Sequence, residues 1–190
     1  MYILPKSLTD YPWYLRPFFW NQRRRYGRVL KPGLLWARSP KVFAGLALLY
    51  GALDRKNSPL TPMLRSMVTV KVSMINWCAF CIDINSSTLL KRGFEMEKLQ
   101  ALDDWRESQL FDERERAVLE YVERVTVTNL KVDEATMNGL KRHFSDDAIV
   151  ELTALICFQN MSSKFNAALG VPAEGFCQLP EHTTKDVDHL

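Results

Sequence analysis

Cys78 and Cys81 are the residues of this chain best suited to chemistry. Two cysteines three positions apart in the first turn of a helix lie on one side of it and can close a small disulfide ring. The unpaired amides at that helix end favour the thiolate over the thiol. One sulfur is then a nucleophile and the other its resolving partner: attack on a peroxide leaves a sulfenic acid, which condenses with the second sulfur to a disulfide. The same spacing also serves as half a zinc site, or as a pair of core cysteines. Zinc needs two further ligands, and Cys157 and Cys177 stand far along the chain with no second close pair, a poor spacing for a structural site. No metal or cofactor is therefore expected. Four cysteines in 190 residues are too few for a disulfide scaffold. Met1 to Asp10 lacks the basic start, apolar stretch and cleavage site of a secretory signal, so a cytoplasmic, reducing location is expected.

The elements that must carry the pair read as follows. Six prolines between Pro5 and Pro59 restrict the first sixty residues to short helices or helices that begin at a proline. Ser39-Pro40 opens one to about Leu53, and the apolar run Val42 to Leu53 is too short to span a bilayer and reads as a buried helix. Residues 1–59 form an aromatic and basic helical extension draped on the core, with Asp54 to Pro59 a polar linker. Thr61-Pro62 is another cap-and-proline start. In the segment that follows, Val68, Val70 and Val72 alternate with polar residues as in a strand, while the cap and the length favour a helix; local pattern alone leaves both open. A helix then starts at the cysteines, with Gly93 at its far end. A short helix lies near Met96 to Leu102, a capping box at Asp112 and Glu115 opens another, Asp133 caps a third, and Ser145 caps the longest, which runs to Gly170. No strand pair is evident, so the fold class expected is all-α, with residues 60–179 as the bundle and 180–190 as a loose tail.

Composition narrows the function classes. Hydrophobic residues make up 47% and charged residues 25%, which fits a folded globular chain. A net charge of +3 is too mild for a phosphate-tracking surface, so no nucleic acid is expected. Arg23, Arg24 and Arg25, beside Trp13, Tyr14 and Trp20, read as solvated residues of the extension. His143 reads as a surface or capping histidine, Cys177 as a partly buried free thiol, and Cys157 as core.

The stretch from Pro62 through Arg65, Ser66, Cys78, Cys81 and Asp83 to Asn85 resembles the core motif of the alkylhydroperoxidase AhpD-like, carboxymuconolactone decarboxylase family. Phe111 to Leu119, His143 to Leu152 and Asn160 to Asn166 resemble its later helices, so the resemblance spans Leu60 to Pro172. It implies an AhpD-like helical bundle and settles the segment from Pro62 as helix. It also implies that Cys81 is the peroxide-reactive sulfur and Cys78 the resolving one, that a thiol or lipoyl-type donor restores the dithiol, and that the chain forms a homo-oligomer, a trimer or hexamer.

Two departures stand out. The family's glutamate falls at Ser66 and its histidine at Asn85, and neither replacement titrates near neutral pH. Asn85, one turn after Cys81, can offer an amide to the sulfur or to a bound hydroperoxide, and Ser66 can hold a water. Asp83 is the ionisable substitute nearest in sequence, but two positions beyond Cys81 on a helix it should point away. The expected function is a thiol-dependent peroxidase. The alternatives are a lactone decarboxylase-like lyase, and a degenerate oligomeric scaffold.

Overall fold

The computed structural model describes residues 1–177; the expected tail, 180–190, lies outside them. Among the described residues there are nine α-helices and two 3-10 turns and no strand, so the fold is an all-α bundle. The helices are α1 (Arg16–Tyr26), α2 (Lys31–Ala37), α3 (Pro40–Leu53), α4 (Pro62–Ile75), α5 (Ala79–Lys91), α6 (Met96–Gln100), α7 (Glu113–Thr126), α8 (Glu134–Lys141) and α9 (Asp146–Ala168). None is long and apolar enough to cross a membrane.

Their ends follow the sequence signals. Thr61 Oγ1 caps α4 at the amide of Leu64, Asp112 and Glu115 close a reciprocal capping box on α7, and Asp133 and Ser145 cap α8 and α9. Such caps satisfy amides that have no partner inside the helix.

Helix α4 is the axis of the bundle and packs against α5, α7 and α9. Arg65 to Val68 and Val70 to Ser73 are all buried on it, which explains its strand-like pattern: a helix enclosed on every side has no polar stripe, so its 3.6-residue period disappears. Its buried Lys71 ammonium meets the Glu123 carboxylate of α7 at 3.0 Å and the Leu102 carbonyl at 3.1 Å, so the charge is paired.

The extension has its own small core of Tyr11, Leu15, Phe19, Trp36, Ala37 and Phe43. It is tied to α9 by Trp36 stacked on Phe165, with ring centroids 3.6 Å apart, and by the Tyr2 amide bonding the Leu169 carbonyl at 3.0 Å. Two sequence expectations fail here. The apolar run of α3 is not a buried helix: Phe43 and Leu53 are its buried residues, while Val42, Leu48, Leu49 and Tyr50 are exposed. Nor is Cys157 core, because it faces outward from α9. The core side of α9 is instead carried by Leu152, Leu155, Ile156 and Gln159.

Candidate functional site

The two sulfurs are delivered by the junction between α4 and α5. Helix α4 ends with the Cys78 amide bonding the Ser73 carbonyl at 3.1 Å and the Trp77 amide bonding the Met74 carbonyl at 3.0 Å. These are the paired bonds of a Schellman close, in which the intervening residue must be left-handed. That residue is Trp77, at φ +53°, instead of the usual glycine. The turn sets Cys78 as the N-cap of α5, where its Sγ accepts from the Cys81 amide at 3.2 Å. Both cysteines are free and buried.

The surroundings give the sulfurs opposite characters. Cys81 has its thiol pKa lowered, first by a hydrogen bond from the Cys78 thiol; burial opposes this, and Asn166, Ser163 and Gln159 add further support to the anion. The Asn166 amide nitrogen stands 3.3 Å from Cys81 Sγ. Cys78 is pushed well above the ordinary thiol range, first by giving its proton to that same bond and then by burial. One sulfur is thus disposed to carry the charge and the other the proton.

A cavity of about 420 Å³ reaches Cys81 but not Cys78. Cys81, Ile84, Asn85, Thr88 and Arg92 line it at helical spacing along one face of α5, and Arg65, Ser66 and Thr69 line it from α4. The extension and α9 complete its wall with Phe18, Trp36, Phe43 and Phe158. At the Cys81 end Asn166 is 2% exposed, and its Oδ1 is buried without a hydrogen-bond partner among the described residues.

The other residues singled out from sequence divide clearly. Asn85 lines the cavity, but its amide donates to Ser73 Oγ at 3.1 Å, in a network where Gln159 donates to Ser73 and Ser163. The amide beside the Cys81 sulfur belongs to Asn166. Ser66 lies at the opposite end, accepting from Arg92 Nη1 at 2.8 Å; Asp54 pairs with both Arg92 and Arg65 there. Asp83 does face away from Cys81: its carboxylate accepts from the amides of Glu174 and Cys177 at 2.7 Å each and pins the segment after α9 to α5. Cys177 is half-buried beside it, with its thiol pKa raised by burial and then by the Asp83 charge. His143 is half-buried before the cap of α9.

Asn166, Gln159 and Ser163 were not expected from sequence. The signal was present, since three polar residues at i, i+4 and i+7 fall on the buried face of α9. Polar groups so placed need partners: Gln159 donates to Ser163 and Ser73, and Asn166 donates to the Cys81 sulfur.

The 174 residues that align with the uncharacterized protein YnjA of Escherichia coli are 44% identical, spanning 92% of this chain and 96% of that one. Residues 40–124 match the Carboxymuconolactone decarboxylase family. The chain belongs to that family. The match begins at Pro40, so α3 lies within the matched segment. Among solved structures, an uncharacterized peroxidase-related protein from Ralstonia eutropha described as an alkylhydroperoxidase AhpD core superposes with a TM-score of 0.79 at 24% identity, covering 92% of this chain and 93% of the other. A cysteine-to-alanine form of the debrominase Bmp8, in complex with 2,3,4-tribromopyrrole, superposes with a TM-score of 0.79 at 20% identity, covering 93% of both chains. At these identities the likeness is one of fold. Family and fold are those of peroxidase-related and carboxymuconolactone decarboxylase-like proteins.

Proposed function

We propose that the chain is a thiol-dependent peroxidase that reduces bulky organic hydroperoxides. The observation that carries this reading is the cavity that opens onto the thiolate-favouring sulfur, Cys81, and is walled by aromatic side chains. The Cys81 thiolate attacks the outer oxygen of the hydroperoxide, and the O–O bond breaks. The departing alkoxide takes the proton of the Cys78 thiol, leaving the alcohol, a Cys81 sulfenic acid and a Cys78 thiolate. That thiolate attacks the Cys81 sulfur to form the disulfide and expel hydroxide, which is neutralised by solvent. A thiol or lipoyl-type donor then returns the dithiol by exchange.

In this scheme Cys78 supplies the proton that the family's glutamate and histidine would otherwise relay. Asn166 Nδ2 steadies the anionic sulfur, and its unpartnered Oδ1 accepts the hydroperoxide O–H. Asn85 and Ser66 line the cavity as positioning groups, and Asp83 holds the C-terminal segment over the start of α5.

The test is a coupled peroxide-consumption assay with cumene hydroperoxide and a dithiol donor. Turnover is expected for the native chain and loss of at least a hundredfold in Cys81→Ser, whereas Cys78→Ser should stall after one equivalent as a trappable sulfenic acid. Equal turnover in native chain and Cys81→Ser would refute the scheme.

The aromatic wall favours one other reading, reductive dehalogenation of a halogenated aromatic ring. The balance is similar: a carbon–bromine bond and two thiols become a carbon–hydrogen bond, bromide, a proton and a disulfide. Bromide release from 2,3,4-tribromopyrrole without peroxide turnover would select it. A lyase reading finds less support. Among the described residues the sole carboxylate on the cavity wall, Asp54, is already paired with Arg65 and Arg92.

A further inference from the structure

The end of the cavity opposite Cys81 is charged, and its charges do not balance. Among the described residues the cavity wall holds three cations, Arg25, Arg65 and Arg92, against the single carboxylate of Asp54. Arg25 is exposed and keeps its water, but the side chain of Arg65 is 7% exposed and that of Arg92 25%. Both of these turn an Nη2 to the same oxygen, Asp54 Oδ1, at 3.3 and 3.4 Å, longer than the ~2.7–2.9 Å of a full charge-assisted bond.

Their other bonds go to uncharged oxygens. Arg65 Nη1 donates to the carbonyls of Leu53 and Arg55, and Arg92 Nη1 donates to Ser66 Oγ and the Pro62 carbonyl. These bonds hold the ends of α3, α4 and α5 together, but they supply no counter-charge. Among the described residues Arg65 Nε is buried without a partner, and Arg92 Nε donates to none. A guanidinium withdrawn from water is costly unless it is paired, and two of them on one carboxylate leave one positive charge over.

The face of α5 fixes how far that charge stands from the sulfur. Arg92 follows Cys81 by eleven positions, roughly 16 Å along a helix that rises about 1.5 Å per residue. Three bonds of an extended chain advance about 3.3–3.6 Å, and helical side chains lean toward the N-terminus, so roughly ten to fourteen bonds bridge the two points. The aromatic wall, joined by Leu46, Ile84 and Leu155, covers an apolar body of that length.

We propose that Arg92 and Arg65 form a carboxylate-binding subsite, and that the cavity takes a long acyl chain with its acidic head at these arginines. Resting on the peroxidase reading, the hydroperoxide lies along that chain within reach of Cys81, and the substrate class is a fatty-acid hydroperoxide. The unmatched inner charge is single, which a carboxylate neutralises; a phosphate group, at about −1.5 to −2, would exceed it beside Asp54.

Isothermal titration calorimetry of the reduced full chain with dodecanoate and with dodecanol reads the subsite without a redox step. Dodecanoate is expected to bind tighter than the alcohol by about tenfold or more. In Arg92→Met that ratio should fall to near one, and in Arg92→Lys, which keeps the charge, part of it should return. A role confined to holding the helix ends would weaken both ligands alike, and a ratio left intact in Arg92→Met overturns the proposal. Equal affinity of the native chain for the two ligands also overturns it, as does tighter binding of dodecyl phosphate than of dodecanoate. With a dithiol donor, kcat/KM for linoleic acid hydroperoxide should exceed that for its methyl ester by a similar ratio. Equal rates on acid and ester would sink the subsite and leave the peroxidase reading standing. No turnover of these or of cumene hydroperoxide, with dodecanoate still preferred, would end the peroxidase reading and uphold the subsite.

Discussion

At the scale of single residues, the site divides two chemically identical side chains by environment. A hydrogen bond joins the two sulfurs, and what surrounds them decides which one gives the proton: Cys81 meets the Asn166 amide and the cavity, whereas Cys78 meets the Cys81 amide at 3.2 Å and lies off the cavity wall. The hydrogen bond from Asn166 to an anionic sulfur should contribute about 1.5–3 kcal/mol in favour of the thiolate. In Asn166→Ala the iodoacetamide reactivity of Cys81 at neutral pH is therefore expected to fall by about tenfold or more, and the midpoint of its pH dependence to move upward. The native profile should rise with pH through a midpoint below the ordinary thiol range, because the lowered thiol is deprotonated earlier than a free cysteine. Mass-spectrometric counting of labelled Cys81 across pH reads both effects.

At the scale of elements, the left-handed residue between α4 and α5 is the hinge on which the sulfur geometry rests. A β-carbon in that conformation costs about 1–2 kcal/mol, and Trp77, 78% exposed, recovers little of it by packing. Trp77→Gly should therefore stabilise the chain by about 0.5–1 kcal/mol once the extra freedom of glycine in the unfolded chain is counted. Urea unfolding would show this as a raised midpoint with an unchanged slope; a lowered midpoint would mean that the indole contributes contacts the strain argument neglects. A large exposed aromatic in a strained position directly before Cys78 is the pattern expected where strain serves a site.

At the scale of the whole molecule, α4 and α7 are joined through the buried Lys71 and Glu123. Burial pushes the Glu123 carboxyl up, but hydrogen bonds from Trp105, Arg106 and Lys71 outweigh it and leave it below the usual carboxylate range. A carboxyl depressed in the folded state contributes stability that is fully present above its unfolded pKa of about 4.3 and lost as pH falls through the folded value. Glu123→Gln should lower stability at neutral pH and make the loss on acidification shallower, measured by urea unfolding at pH 7 and pH 3. Parallel pH profiles in the two proteins would remove Glu123 from the account of acid sensitivity.

Much of this molecule is written locally. The caps at Thr61, Asp112, Asp133 and Ser145, the glycine after α5 and the two-cysteine motif are short-range features, so the helices and the sulfur pair were readable from residues a few positions apart, and resemblance added the bundle and the family. Asn85 was a reasonable expectation as the amide for Cys81, since it lies one turn away on the same helix. Only the packing of α9 across α5 shows that a residue 85 positions along the chain, Asn166, takes that place. For the same reason α3 and Cys157 looked like core: apolarity states that a side chain avoids water, but not whether a distant segment of the chain covers it. Propensity and capping act within a few residues, whereas cavities and the hydrogen bonds that divide charge between two sulfurs arise where distant segments meet, and those the tertiary structure alone decides.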